Sequence, residues 1–195
     1  MTLISKINLT LTLGVLTMLS LNGCVPVVGA AAATTGVFAS QDRTVGNAID
    51  DKTTWAKIKD QYIQSPDRQL LSGVNVEVIE NRVLLSGSVD TQESALKAVE
   101  LAWKVTSVKE VINEIQIRKK SAKNFAIDSW VTTQVKSKLL ANENVRSINY
   151  HVETVNGVVY LFGLAKSQSE LEAATKSAST VPEVKKVVSH VRIQK

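Results

Sequence analysis

The sequence predicts an α+β protein made of two tandem copies of one small unit, each in the order α-β-β-α-β with a small mixed sheet packed against two helices. Three observations predict this. Residues 75–119 and 151–195 align without a gap, each residue having its counterpart 76 positions on, with identical pairs such as Val83/Val159, Leu85/Leu161, Ala98/Ala174 and Val111/Val187. A spacing that stays constant over the whole stretch means that strands, helix and loops recur in one order, the mark of a duplicated unit. In each copy, two alternating apolar runs flank a turn, and a stretch with apolar residues at helical spacing follows them.

Each element has its own signal. Trp55, Ile58 and Tyr62 fall at i, i+3 and i+7, so a helix begins after Asp50/Asp51 and stops by Ser65-Pro66. Val74, Val76 and Val78 alternate with Asn75 and Glu77 as in a half-buried strand, and a break at Glu80-Asn81 leads to a second strand with Val83 and Leu85. The second copy shows the hairpin more plainly. Asn156-Gly157 lies between two β-rich runs, and that dipeptide suits the positive φ angles of a two-residue turn. Gly87 and Gly163 come where the second strand of each copy ends and are expected to be structural, permitting a bulge or a close backbone approach. Capping signals follow, Asp90-x-x-Glu93 and Ser167-x-x-Glu170. The helices behind them turn Ala95, Ala98, Val99, Ala102 and Leu171, Ala174, Ala178, Val181 inward, and last strands carry Val111, Ile115, Ile117 and Val187, Val191, Ile193 on one face.

At the amino terminus, Lys6 precedes an apolar run from Ile7 to Leu21. At about 15 residues it is short for a bilayer span and right for a secretory signal. Leu21-Asn22-Gly23-Cys24 resembles the bacterial lipobox, which implies removal of the preceding peptide and acylation of Cys24 by diacylglyceryl and a further acyl chain such as palmitate. An ordinary signal followed by a free Cys24 is the plain alternative. Cys24 is the one cysteine of the chain, so no internal disulfide can form. Inner-membrane retention uses Asp after the lipidated Cys; Val25 stands there, which implies the outer membrane, lipid-anchored and facing the periplasm. Pro26 to Gly36 is small and weakly apolar without a period, as in a tether. The expected layout is signal 1–23, acylated tether 24–45, first domain 46–119, linker 120–125 and second domain 126–195. The formal charge is +5, of which Lys6 leaves with the signal, and so mild a surplus favours an anionic surface without demanding one.

Catalysis has little to work with. The two histidines, His151 and His190, fall in strands of the second copy, where the first has Asn75 and Glu114. Neither has a metal-ligand spacing, and no phosphate loop, nucleophile elbow or strand-end carboxylate pair stands out. No enzyme activity, no cofactor and no metal is expected. The run Arg118-Lys119-Lys120-Ser121-Ala122-Lys123 between the copies reads as a solvated linker or as a binding patch. No basic surface interleaved with aromatics accompanies it, so nucleic acid is not expected.

In the helix predicted over 128–141, Ile127, Val131, Val135 and Leu139 recur every four residues as a core stripe, while Trp130, Gln134 and Lys138 lie on another. An exposed Trp130 beside Lys136 and Lys138 would set an amphipathic ring at headgroup depth with ammonium groups at phosphate. A place between the domains is also open to it.

The element order, Leu85-x-Gly87 and Leu161-x-Gly163 closing the hairpins, and the terminal Val-x-x-Val strands resemble the BON domain (bacterial OsmY and nodulation) over roughly residues 42–195. Asp42 to Asp51 and Trp130 to Leu140 look like the outer-membrane lipoproteins that carry two such domains. That resemblance implies a non-enzymatic protein whose second domain recognises anionic phospholipid, chiefly phosphatidylglycerol, through its first helix, in support of envelope integrity and cell division. The lipid-binding residues it implies are Trp130, Gln134, Val135, Lys136, Lys138 and Leu140, although Val135 also lies on the core stripe. In the first copy Trp55 is displaced from the position that matches Trp130, and Trp103 is expected at the domain interface or partly in the core. The alternative is a periplasmic adaptor for the outer-membrane assembly machinery or for peptidoglycan-hydrolase regulators.

Overall fold

A computed structural model describes residues 45–119 and 121–194. The signal, the lipidation site Cys24 and the tether lie outside them. The first copy runs α1 (Val45–Gln64), α2 (Gln69–Gly73), β1 (Val74–Ile79), β2 (Arg82–Val89), α3 (Gln92–Trp103) and β3 (Glu110–Ile117). The second runs α4 (Ala122–Ala141), a 3-10 turn (Ser147–Asn149), β4 (Tyr150–Val155), β5 (Val158–Ala165), α5 (Gln168–Ser179) and β6 (Lys186–Ile193). The α-β-β-α-β frame is present twice, with α2 and the 3-10 turn as short additions before each hairpin. Each sheet has three strands, ordered β1-β2-β3 and β4-β5-β6. The hairpin partners are antiparallel and the third strand is parallel to the second, so both sheets are mixed.

Both hairpins turn through two residues with positive φ, Glu80 (55°) and Asn81 (62°) in one, Asn156 (52°) and Gly157 (79°) in the other. Left-handed backbone is unfavourable for Glu80, and a carboxylate offsets the cost. Asp51 of α1 accepts the amides of Glu80 and Asn81 at 3.0 and 2.8 Å, and Asp128 of α4 accepts those of Asn156 and Gly157 at 2.7 and 2.9 Å. Each first helix is thereby fastened to the hairpin it covers. Asp51 thus lies inside a helix that begins at Val45, earlier than the expected start after Asp50/Asp51. The helix residues that fill this role are 77 apart, not 76, because the loop before the hairpin is one residue longer in the first copy.

Other boundaries move for local reasons. α3 is capped by Thr91, whose hydroxyl accepts the amide of Ser94 at 3.2 Å, in place of the expected Asp90-x-x-Glu93 pair. Ser167 does cap α5, accepting from Glu170 N, while the Glu170 carboxylate takes Lys166 N, Arg146 N and the Tyr150 hydroxyl. Ser121 caps α4, so the helix starts at Ala122 and takes in most of the expected 120–125 linker. Gly87 and Gly163 stand inside β2 and β5 and not at their ends. A Cβ on Gly87 (φ 110°) would collide with the carbonyl oxygen of Gly73, and one on Gly163 with that of Asn149. Both are places where two backbones come too close for any side chain.

Each copy has its own core between helices and sheet: Ile58, Tyr62, Leu85 and Ala98 centre the first, Val135, Leu139, Leu161 and Ala174 the second. A third cluster lies where the sheets meet by their other faces, with Ile79 and Leu84 against Val155, Tyr160, Phe162 and Leu164. β2 and β5 are therefore buried on both sides, which accounts for the near-continuous apolar run of β5, while β2 buries Arg82 and Ser86 among its apolar residues. At the far ends of β3 and β6, Ile117 and Ile193 are exposed rather than inward.

Candidate functional site

The junction of the two sheets repeats the internal duplication. Asn75 Nδ2 donates to Glu153 at 2.6 Å, and His151 Nδ1 lies 2.9 Å from Glu77. These two pairs exchange under the 76-residue shift, since 75 matches 151 and 77 matches 153. His190 Nε2 and Glu114, matching positions themselves, meet at 2.8 Å. The counterparts of two touching residues thus touch each other in turn, the pattern of an isologous dimer folded into one chain. Arg82, buried, donates to Glu110 at 2.6 Å and sits 5.3 Å above the ring of Phe162, while Arg192 reaches the same carboxylate at 2.9 Å. The Arg82 hydrogen bond holds the Glu110 carboxyl below the usual carboxylate range. Burial, helped by nearby Glu77, pushes the Glu153 carboxyl above it. Both histidines are thus occupied in binding the domains together. The sequence signal, His151 opposite Asn75 and His190 opposite Glu114 at constant spacing, was there but reads as an interface only once the sheets face each other.

The helix singled out by the sequence, α4, has two distinct faces. Val131, Val135 and Leu139 are buried in the second core. Val135 is therefore removed from the lipid-contact set: its side chain is sealed under the helix and cannot reach a membrane. Trp130 is 45% exposed and Leu140 76%. Gln134 is half-buried, and Lys136 and Lys138 are exposed. Lys138 Nζ donates to the hydroxyl and carbonyl of Thr180 at the end of α5, at 2.7 and 3.3 Å, which fixes its ammonium on that flank. The outward surface thus carries one indole, one leucine and two cations around a half-buried amide. Phe125, in the first turn of α4, is 74% exposed and went unnoticed in the sequence, because a single aromatic outside the core stripe has no periodic partner.

In the first copy Trp55, on α1, is matched through the Asp51/Asp128 pair by Thr132, and Trp130 by Thr53. No indole therefore takes the Trp130 position there. Trp103 is 51% exposed at the end of α3, neither at the domain interface nor in the core, because the interface is made by sheet faces and not by α3. Among the described residues no group of three side chains suited to a metal comes together, and no helix is long and apolar enough to cross a membrane.

The family model described as BON domain matches residues 50–119 and 127–195. Among curated proteins, the chain is 41% identical to an uncharacterised protein in the gshII 5' region of Anaplasma centrale, over 75% of this chain and 96% of that one. It is 36% identical to the outer membrane lipoprotein DolP of Haemophilus influenzae, over 86% and 87%. It is 34% identical to the osmotically-inducible protein Y of Escherichia coli, over 76% and 75%. With the two matches falling on the two copies and covering most of the chain, this protein belongs to the BON domain family and carries two such domains in tandem.

Proposed function

We propose that this protein is an outer-membrane lipoprotein, anchored through Cys24 and facing the periplasm, that binds anionic phospholipid, phosphatidylglycerol above all, through the outward face of α4. In this role it supports envelope integrity and cell division and catalyses no reaction. The observation that carries the reading is Trp130: 45% exposed on a helix whose opposite face is wholly buried, with Leu140 and two lysines on the same surface. An indole at headgroup depth and ammonium groups at phosphate are the two contacts such a surface offers a membrane. Each lysine near an anionic leaflet contributes about 1 kcal/mol, so binding by the folded part alone is weak. Acyl chains on Cys24 would hold it at the membrane, at about 0.8 kcal/mol per buried methylene, and raise the local lipid concentration.

The test is co-sedimentation of residues 42–195 with vesicles of phosphatidylglycerol and of neutral phosphatidylcholine over a salt series. Trp130→Glu, at an exposed position, is expected to keep the fold and lose phosphatidylglycerol binding, and the wild type to release vesicles as salt rises. Unchanged binding by the folded variant refutes the role of Trp130. Failure of the wild type to bind any lipid composition favours a second reading, an adaptor for outer-membrane assembly or peptidoglycan-hydrolase regulation. Leu96 and Trp103, exposed on α3, would give such an adaptor an apolar docking face.

A further inference from the structure

The duplication creates two clefts, and they differ. One lies under α1 against the second domain, has a volume of about 450 Å³ and is lined by Ala48, Lys52 and Trp55. Its counterpart, under the first half of α4 against the first domain, has a volume of about 600 Å³ and carries Phe125, Ser129 and Thr132 at the matching positions. Where the first cleft holds an indole and an ammonium group, the second has a hydroxyl at each place, and an aromatic ring has moved to its rim. We propose that this second cleft binds a short, uncharged, hydroxyl-rich saccharide.

The lining decides the ligand class. Besides Ser129 and Thr132 it is lined by Ser88, Asn75, Asn124 and Glu153. Asn75 donates to Glu153, Asn124 to Asn156 and Thr132 to Thr154, so the Ser129 and Ser88 hydroxyls and the remaining N–H groups and lone pairs of the paired side chains face an opening of the size usual for small ligands. Asp128 also borders it, but both its oxygens are taken by the turn amides of Asn156 and Gly157. Burial pushes the Glu153 carboxyl toward its neutral form. Among the described residues Lys119 is the cation of the lining. An anion would meet the Asp128 carboxylate, and an acyl chain would cover the Ser129 and Ser88 hydroxyls without giving them a partner. Hydroxyls of a sugar match both the amides and the carboxyl. Phe125, 74% exposed on the first turn of α4, offers the flat π face on which the C–H face of a sugar ring stacks. Trp130 does not line this cleft, so the inference stands apart from lipid binding and can fail or hold independently of it.

The test uses the full chain in a zwitterionic, sugar-free detergent, titrated with N,N′-diacetylchitobiose, cellobiose and, as a peptide probe, triglycine, each to about 10 mM. Saturation transfer to ligand protons and amide shifts over residues 124–129 report binding. A disaccharide is expected to bind saturably and triglycine not at all. Phe125→Ala, at an exposed position, should weaken binding about five- to tenfold, the worth of one stacked ring. Ser129→Lys and Thr132→Trp, which restore the side chains of the first cleft, should abolish it while phosphatidylglycerol-vesicle binding persists. Should Thr132→Trp fail to fold, Ser129→Lys alone makes the same test on an exposed position. The proposal is overturned if neither disaccharide saturates, if triglycine binds in their place, or if folded Phe125→Ala and Ser129→Lys bind sugar as the wild type does.

Discussion

A few side chains carry much more than their share. Asp51 and Asp128 each close a hairpin turn and pin a helix to it, and charge-assisted hydrogen bonds of this kind contribute about 1.5–3 kcal/mol apiece. Asp51→Ala would leave Glu80 and Asn81 in left-handed backbone with unpaired amides, and a loss of about 3 kcal/mol in the urea unfolding free energy is expected. Asp128→Ala should cost somewhat less, because Gly157 takes positive φ freely. A loss under 1 kcal/mol in either would mean that the turns hold without the carboxylates. Ser86 is the reverse case: its hydroxyl is buried with no hydrogen-bond partner, at the position where the second copy has Phe162. Ser86→Ala removes a polar group that gains nothing from burial, so it should stabilise by about 1 kcal/mol, and a destabilised variant would contradict the unpartnered state. Neither role was legible in the sequence. Asp51 reads as a helix-start residue, and a serine in a strand gives no sign of which face it occupies.

Among the elements, β5 is the most constrained, since helices cover one face and the other sheet covers the second. Phe162 is fully buried on that second face. Phe162→Ala should cost about 3–5 kcal/mol, with the two domains unfolding less cooperatively in a calorimetric scan. If the transition is unchanged, the third cluster is not what joins the domains. The edge strands are managed locally. Asn113 Oδ1 takes the amide of Ile115 at 3.1 Å, and the matching Ser189 Oγ that of Val191 at 3.4 Å, so these amides are less available to another chain. The helices were the easiest elements to read, because apolar spacing marks Ile58/Tyr62 and Val131/Val135/Leu139 directly. The start of α1 and the cap of α3 were misplaced, since several Asp, Thr and Ser residues nearby could each accept a first-turn amide and only the folded geometry selects one.

At the scale of the molecule, the paired sheets make stability depend on pH in opposite senses at two carboxylates. Glu153 has its carboxyl pushed up, so the folded state holds a proton that the unfolded chain has released. Its contribution therefore becomes unfavourable as pH rises above the ordinary carboxylate range. Glu153→Gln, which can still accept from Asn75, should raise the melting temperature at pH 7, the gain shrinking on acidification. Glu110 is held low by Arg82, so its contribution is present above the ordinary range and is lost as pH falls through the depressed value. Glu110→Gln should lower the melting temperature at pH 7, the loss shrinking on acidification. Parallel curves for either variant and the wild type between pH 3 and 7 would show that its carboxylate does not titrate differently in the two states.

Duplication, hairpins, helix faces and the two-domain layout follow from the chain itself, because strand alternation, helical spacing and turn chemistry are local and a 76-residue repeat states them twice. What the periods do not contain is which faces meet. The docking of sheet on sheet put His151 and His190 into the interface, left Trp130 and Phe125 facing solvent, and made the cleft beside Thr132 roomier than the one beside Trp55. Those outcomes depend on contacts between residues far apart in sequence, where burial is set by the packing of whole surfaces and not by the spacing within any one of them.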